Sequence, residues 1–298
     1  MLSLNLLSNF LKLIRLENLI IMVITLWVSH HFIYVKENIN LPNILFVSLC
    51  ISTVFIAAGG YVINDYFDLK IDKINKPDEI ILDKKIHRKS AIIWHLLFSI
   101  LGLGFGLFIC VQVHHFFLII IQLIAILLLL LYSVFLKKII VLGNLTIGLL
   151  TMLLPLLPMF YLKIMHYNIS EYTAYSLFIL SIFALMTTLI RELIKDVQDM
   201  EGDKSGRRNT IPVAWGFISS KIIIFFLGLI TILFISAFLY KFYLQNSLVL
   251  IYYLALIIVP IILLLIFNIT ISNHRSFKYL SVFMKLIMIS GLLSYLLI

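Results

Sequence analysis

Cysteine is nearly absent. The chain has 2, Cys50 and Cys110, both within apolar runs and in no CxxC or Cys/His cluster, which leaves no zinc or redox site. Both read as small buried hydrophobes. Proline is scarce as well, at 6 residues, and Pro155, Pro158 and Pro260 fall inside apolar runs, where they are expected to kink a helix. No Pro/Ser-rich linker, low-complexity tail or soluble insert interrupts the 298 residues, so a single domain over 1–298 is expected. The chain also lacks short segments of strict apolar/polar alternation, which argues against a membrane barrel.

What is present is hydrocarbon. Hydrophobic residues make up 62% of the chain, and stretches such as Phe116 to Leu131 carry almost no polar side chain. This composition predicts an all-α polytopic membrane protein. Nine spans are expected, at about 16–35, 43–70, 90–112, 115–136, 141–162, 172–196, 218–240, 247–269 and 278–297. The first follows Lys12 and Arg15 but no small-x-small cleavage site, and so reads as an uncleaved span. With the N-terminus in the cytoplasm, one side collects nearly all loop Lys and Arg, and the other only Lys36, Lys163 and Lys241. By the positive-inside rule this sets the orientation in a prokaryotic-type inner or plasma membrane. It also accounts for most of the net charge of +9 without nucleic acid.

Carboxylates are few and not scattered. Asn64, Asp65, Asp68 and Asp72 lie in NDYFDLKID at the end of the second span, and Asp196, Asp199 and Asp203 in KDVQDMEGD at the end of the sixth. At about 100° per residue the first four share roughly one quadrant of a helix, and the second three, with Glu192, form a narrow stripe if the helix continues. Asp68/Asp72 and Asp199/Asp203 repeat one i, i+4 spacing on helices running in the same direction. Two such helix bundles would bring the clusters face to face across a central cavity. Carboxylates at a bilayer boundary repel one another and meet an unfavourable helix dipole, so a shared cation is implied. An oxygen-only set with no nearby Cys or His favours Mg²⁺, which takes a few carboxylates together with phosphate oxygens and water.

Cations that suit a diphosphate follow the fourth span (Lys137, Lys138) and the sixth (Arg207, Arg208), with Arg15 and Arg191 near the membrane boundary. Tyr132 precedes Lys137 on the same side. Asp78, Glu79 and Asp83 stand irregularly among lysines and read as solvated surface, and His114/His115 as an interfacial turn.

At these motifs the chain resembles the UbiA superfamily of intramembrane prenyltransferases, which carry NDxxDxxxD in the second helix and DxxxD, often DxxDxxxD, in the sixth. NDYFDLKID and DVQDMEGD fit both, and LIRLEN resembles the family's first helix. The resemblance implies an allylic polyprenyl diphosphate donor bound through Mg²⁺. Asn64, Asp65, Asp68, Asp72, Asp196, Asp199 and Asp203 would serve the metal, with Asp65 and Asp196 supporting. Asp68, Asp72, Asp199 and Asp203 would be catalytic, while Asn64, Arg15, Tyr132, Lys137 and Arg207 would contact diphosphate. Many members have YxxxK, and here Tyr132 to Lys137 is one residue longer. RELIKDVQDMEGDKSGRRNTIPVAWG is more like members that alkylate geranylgeranylglyceryl phosphate than the 4-hydroxybenzoate branch. An aromatic acceptor, a terpene cyclase and, more distantly, a transporter stay open at this point.

Overall fold

The computed structural model describes residues 2–298, with side chains from residue 7 onward. Among the described residues it is helical, with one isolated bridge, Leu82 to Ile86, in the first long loop. After a helix at Leu2–Leu13, nine helical stretches of 22 to 33 residues are long and apolar enough to cross a bilayer. They are Leu16–Glu37, Asn43–Asn75, Arg88–Val113, Phe116–Lys138, Leu142–Ile164, Glu171–Gln198, Ile211–Phe242, Ser247–Thr270 and His274–Leu296. The expected nine spans are all present.

Several boundaries have a local cause. Ser170 caps the sixth span by accepting from the Thr173 N–H, and Asn246 caps the eighth through Val249 N–H. The third span ends on His114 in the left-handed region, φ 60°, where His115 N–H returns to the Cys110 carbonyl, so the His pair closes a helix. The internal prolines change the winding as expected, since each lacks an N–H to continue the ladder. A 3₁₀ turn, Leu154–Leu156, surrounds Pro155, and a π turn, Leu254–Ile258, precedes Pro260. In the seventh span the break falls at Gly216 (φ 89°, ψ 167°), before the residues expected to be helical.

The chain divides into two compact units. The first comprises residues 1–26 and 41–137. Its core joins Ala57, Ala58, Val62 and Leu69 of the second span to Ala91 and Phe98 of the third, with Leu13, Leu19 and the loop residues Ile80 and Leu82. Small residues set the closest approach: Ser52 Oγ donates to the Gly102 carbonyl at 2.7 Å, the kind of contact that joins helices in lipid. A Cβ on Gly102 would lie 2.6 Å from Ile56 Cγ1 and 3.2 Å from the Ser52 carbonyl oxygen. Gly102→Leu is therefore expected to cost about 1–3 kcal/mol of stability, read as a lower thermal midpoint in detergent. An unchanged midpoint would show that the two spans part freely.

The second unit comprises residues 27–40 and 138–298. The sixth span supplies Phe183, Ile190, Leu193, Ile194 and Val197 to a core with Ile224 and Phe238 of the seventh, Ile257 and Leu264 of the eighth, and Phe277 and Met284 of the ninth. Its outward faces are apolar too: Ile218, Ile222, Phe226 and Ile230 of the seventh span are exposed, as lipid contact requires.

Candidate active site

The first acidic set lies on a helix that continues unbroken to Asn75, so Asn64, Asp65, Asp68 and Asp72 keep their common side. Lys137 closes on them. A 3₁₀ turn, Leu136–Lys138, ends the fourth span and turns the ammonium inward, leaving the side chain 5% exposed. Its Nζ donates to Asn64 Oδ1 at 2.9 Å and to Asp68 Oδ1. Asn64 Nδ2 in turn donates to Asp68 Oδ2 at 2.9 Å, so amide, carboxylate and ammonium form one network. Arg15, in a left-handed conformation (φ 53°) between the first helix and the first span, donates to Asp65 Oδ1 at 2.8 Å and stacks 5.0 Å over Tyr61. Arg88 lies 4.4 Å over the Tyr66 ring, an aromatic–cation contact the sequence reading missed. Tyr132 is half-buried on the fourth span.

The second set differs from the expected stripe. The helix does not continue: the sixth span stops at Gln198, Asp199 takes φ −96° and ψ 9°, and a short helix, Met200–Ser205, follows. Backbone bonds still bridge the break, from Asp199 N–H to the Lys195 carbonyl at 2.8 Å and from Asp203 N–H to the Asp199 carbonyl at 3.0 Å. Asp203 is buried and paired with Arg208 Nη1 at 3.2 Å. Arg207, the arginine expected to contact diphosphate, is exposed with φ 54°; its left-handed turn sends the following residue, Arg208, inward instead. Asp196 accepts from Asn144 Nδ2 at 2.7 Å, a partner that sequence reasoning did not single out. Asp78, Glu79 and Asp83 are exposed, as solvated surface should be.

The donor chemistry fits Mg²⁺. Both sets offer carboxylate and amide oxygens only. Among the described residues, no three His, Cys, Asp or Glu side chains form a group placed to hold a metal by themselves. A hard cation at either set would complete its shell with phosphate oxygens and water, the usual habit of Mg²⁺. Lys137, Arg15 and Arg208 place positive charge beside each set, as a polyanionic substrate demands.

Nine apolar spans, with two acidic motifs at span ends and cations paired to them, define a polytopic membrane protein with a charged candidate site. Residues 21–287 match the UbiA prenyltransferase family, and the chain belongs to it. A digeranylgeranylglyceryl phosphate synthase from Methanosphaera stadtmanae is 30% identical over 256 residues, 85% of this chain and 86% of that protein. A solved structure of digeranylgeranylglyceryl phosphate synthase superposes with a TM-score of 0.68 at 28% identity, covering 98% of both chains. The structure of a UbiA homolog from Archaeoglobus fulgidus bound to GPP and Mg²⁺ matches with a TM-score of 0.60 over 96% of this chain and 99% of that one. At 17% identity that likeness speaks to the fold.

Proposed function

We propose that the protein transfers a geranylgeranyl group from its diphosphate to geranylgeranylglyceryl phosphate, an ether-lipid reaction that depends on Mg²⁺. The acceptor rests on the synthases it resembles along most of its length. The observation that carries the diphosphate chemistry is that both acidic motifs hold a buried or half-buried cation against a carboxylate, Lys137 on Asp68 and Arg208 on Asp203.

Asn64, Asp68, Asp72, Asp199 and Asp203 would hold Mg²⁺, with Asp65 and Asp196 in support; the ion supplies Lewis-acid neutralisation of the departing diphosphate. Lys137 and Arg15 beside the first motif, and Arg208 beside the second, would bind diphosphate oxygens. As the allylic C1–O bond breaks, its electron pair leaves with diphosphate, and these ammonium and guanidinium donors stabilise the growing charge. The apolar spans keep water from the allylic cation. The acceptor hydroxyl oxygen then bonds C1 and releases its proton.

The test is conversion of labelled geranylgeranyl diphosphate by the purified, lipid-reconstituted protein with Mg²⁺, offered geranylgeranylglyceryl phosphate, 4-hydroxybenzoate, homogentisate or no acceptor. Product only with the glyceryl phosphate supports the reading. Product with an aromatic acid replaces it by quinone- or tocopherol-type chemistry, and terpene without acceptor by a cyclase.

The excess of Lys and Arg on one side supports an orientation with both motifs and the N-terminus in the cytoplasm. Cys50 and Cys110 are buried, so a single cysteine introduced at Ser205 can be scored with an impermeant maleimide. Labelling in spheroplasts from outside would reverse this orientation.

A further inference from the structure

The sixth span carries a second charged group that the diphosphate chemistry does not use. Arg191, Glu192 and Lys195 precede Asp199 on the membrane side, with Arg191 about 10 Å along the axis from the helix end. Lys195 Nζ meets Glu192 Oε1 at 2.7 Å, and Arg191 Nη1 meets the same oxygen at 3.4 Å. The side chains of Arg191 and Glu192 are 18% and 13% exposed. At about 100° per residue, Arg191, Lys195, Thr188, Asp199 and Glu192 share one sector of roughly 100°. The opposite side carries Ile190, Ile194 and Val197, locked into the core of the second unit. The charged sector therefore lies away from that core, with Thr188 at its inner end buried and accepting from Thr151 Oγ1 at 3.0 Å.

Arg191 and Lys195 flank Glu192 inside a membrane span, with Asp196 also within the electrostatic reach of Lys195, and charge at such a depth is costly and marks substrate paths. The Arg191 guanidinium also has capacity to spare: its Nε is buried with no hydrogen-bond partner, and its contact with Glu192 is long. Asp196, on the next edge of the helix, is engaged by Asn144. A buried guanidinium with a donor to spare suits an anion, and the planar fork of Arg suits phosphate oxygens.

We propose that Arg191 and Lys195 bind the phosphate of the acceptor, a phosphomonoester, with Glu192 holding the two cations in place. The inference rests on the acceptor class proposed above. The position suits it: C1 of the donor hangs on the membrane side of its diphosphate, and Arg191 and Lys195 lie on that side of Asp199. In a glyceryl phosphate the anion is attached one carbon from the attacking hydroxyl, so fixing the phosphate fixes the nucleophile. A separate monoester site also keeps this phosphate away from the metal ligands, where it would compete with the donor.

The experiment compares geranylgeranylglyceryl phosphate with its dephosphorylated alcohol as acceptors for the wild type, Arg191→Gln, Arg191→Lys and Lys195→Gln. The wild type should favour the phosphorylated acceptor. Arg191→Gln should shrink that preference in kcat/KM by ~10- to 100-fold, the usual worth of a charge-assisted contact, while the donor KM stays within about twofold. Arg191→Lys should fall between, because it keeps charge but loses the fork. Mg²⁺-dependent binding of labelled donor to each variant verifies that it is folded. An unchanged preference in Arg191→Gln, or a donor KM that rises with the acceptor KM, overturns the site and leaves the ether-lipid reading standing. A wild type that accepts only an aromatic acid overturns both.

Discussion

Asp68→Asn and Asp199→Asn should each lower turnover by about a hundred- to a thousandfold, comparable to removing one stabilising group from a charged transition state. Asparagine keeps the volume and one oxygen of the side chain but loses the charge that holds Mg²⁺. For Asp68 the surrounding network limits the structural damage, since Asn64 Oδ1 still accepts from Lys137. For Asp199 the bonds that bridge the helix break are backbone bonds and survive the change. Both variants should need more Mg²⁺ for half-maximal rate, which a merely misfolded enzyme would not show. Asp78→Asn, on an exposed loop carboxylate, should retain wild-type rate and Mg²⁺ dependence. Full turnover in both motif variants would remove the carboxylates from the metal site.

The spans were legible because lipid imposes a blunt rule: about twenty apolar residues must cover the hydrocarbon whatever else they do. The acidic motif of the second span was equally legible, since nothing between Asn64 and Asp72 interrupts a helix and the i, i+4 spacing then fixes one face. Its counterpart was legible in composition but not in backbone. Asp199 leaves the helical region, so stripe arithmetic carried through Asp203 described a helix that had already ended. The choice between Arg207 and Arg208 turns on one left-handed residue. Sequence showed two adjacent arginines after Gly206, but not which would face Asp203. Asn144 was missed for another reason: its partner lies on a different span, and an amide opening an apolar run resembles any polar helix start. A signal did exist, since Asn144 follows Gly143 at the same membrane side as the motifs. Lys137 lies against Asn64 and Asp68, but its burial depends on a 3₁₀ turn that the lengthened Tyr132 to Lys137 spacing does not reveal.

That burial sets the expectation for Lys137→Met, which should lower turnover by ~10- to 100-fold, less than loss of a motif aspartate, because Arg15 also stands beside the first set. Its signature should differ from that of Asp68→Asn. Removing the ammonium takes a competing cation from Asp68, so the Mg²⁺ requirement should hold or fall, while the donor diphosphate loses a charged contact and its KM should rise. Without metal, a half-buried carboxylate network is left short of positive charge, a costly arrangement. The variant should therefore unfold at a lower temperature than wild type without Mg²⁺ and regain part of the difference when Mg²⁺ is added, since an ion bound only to the native state stabilises it. Lys137→Arg restores the charge, but its larger fork must enter a place where the lysine side chain is 5% exposed. It should recover less than wild-type rate, with donor KM between the other two. Parallel donor and Mg²⁺ titrations of the three proteins decide the matter. A rise in Mg²⁺ requirement at constant donor KM would make Lys137 a support for the metal ligands, and unchanged kinetics would leave it with topology alone.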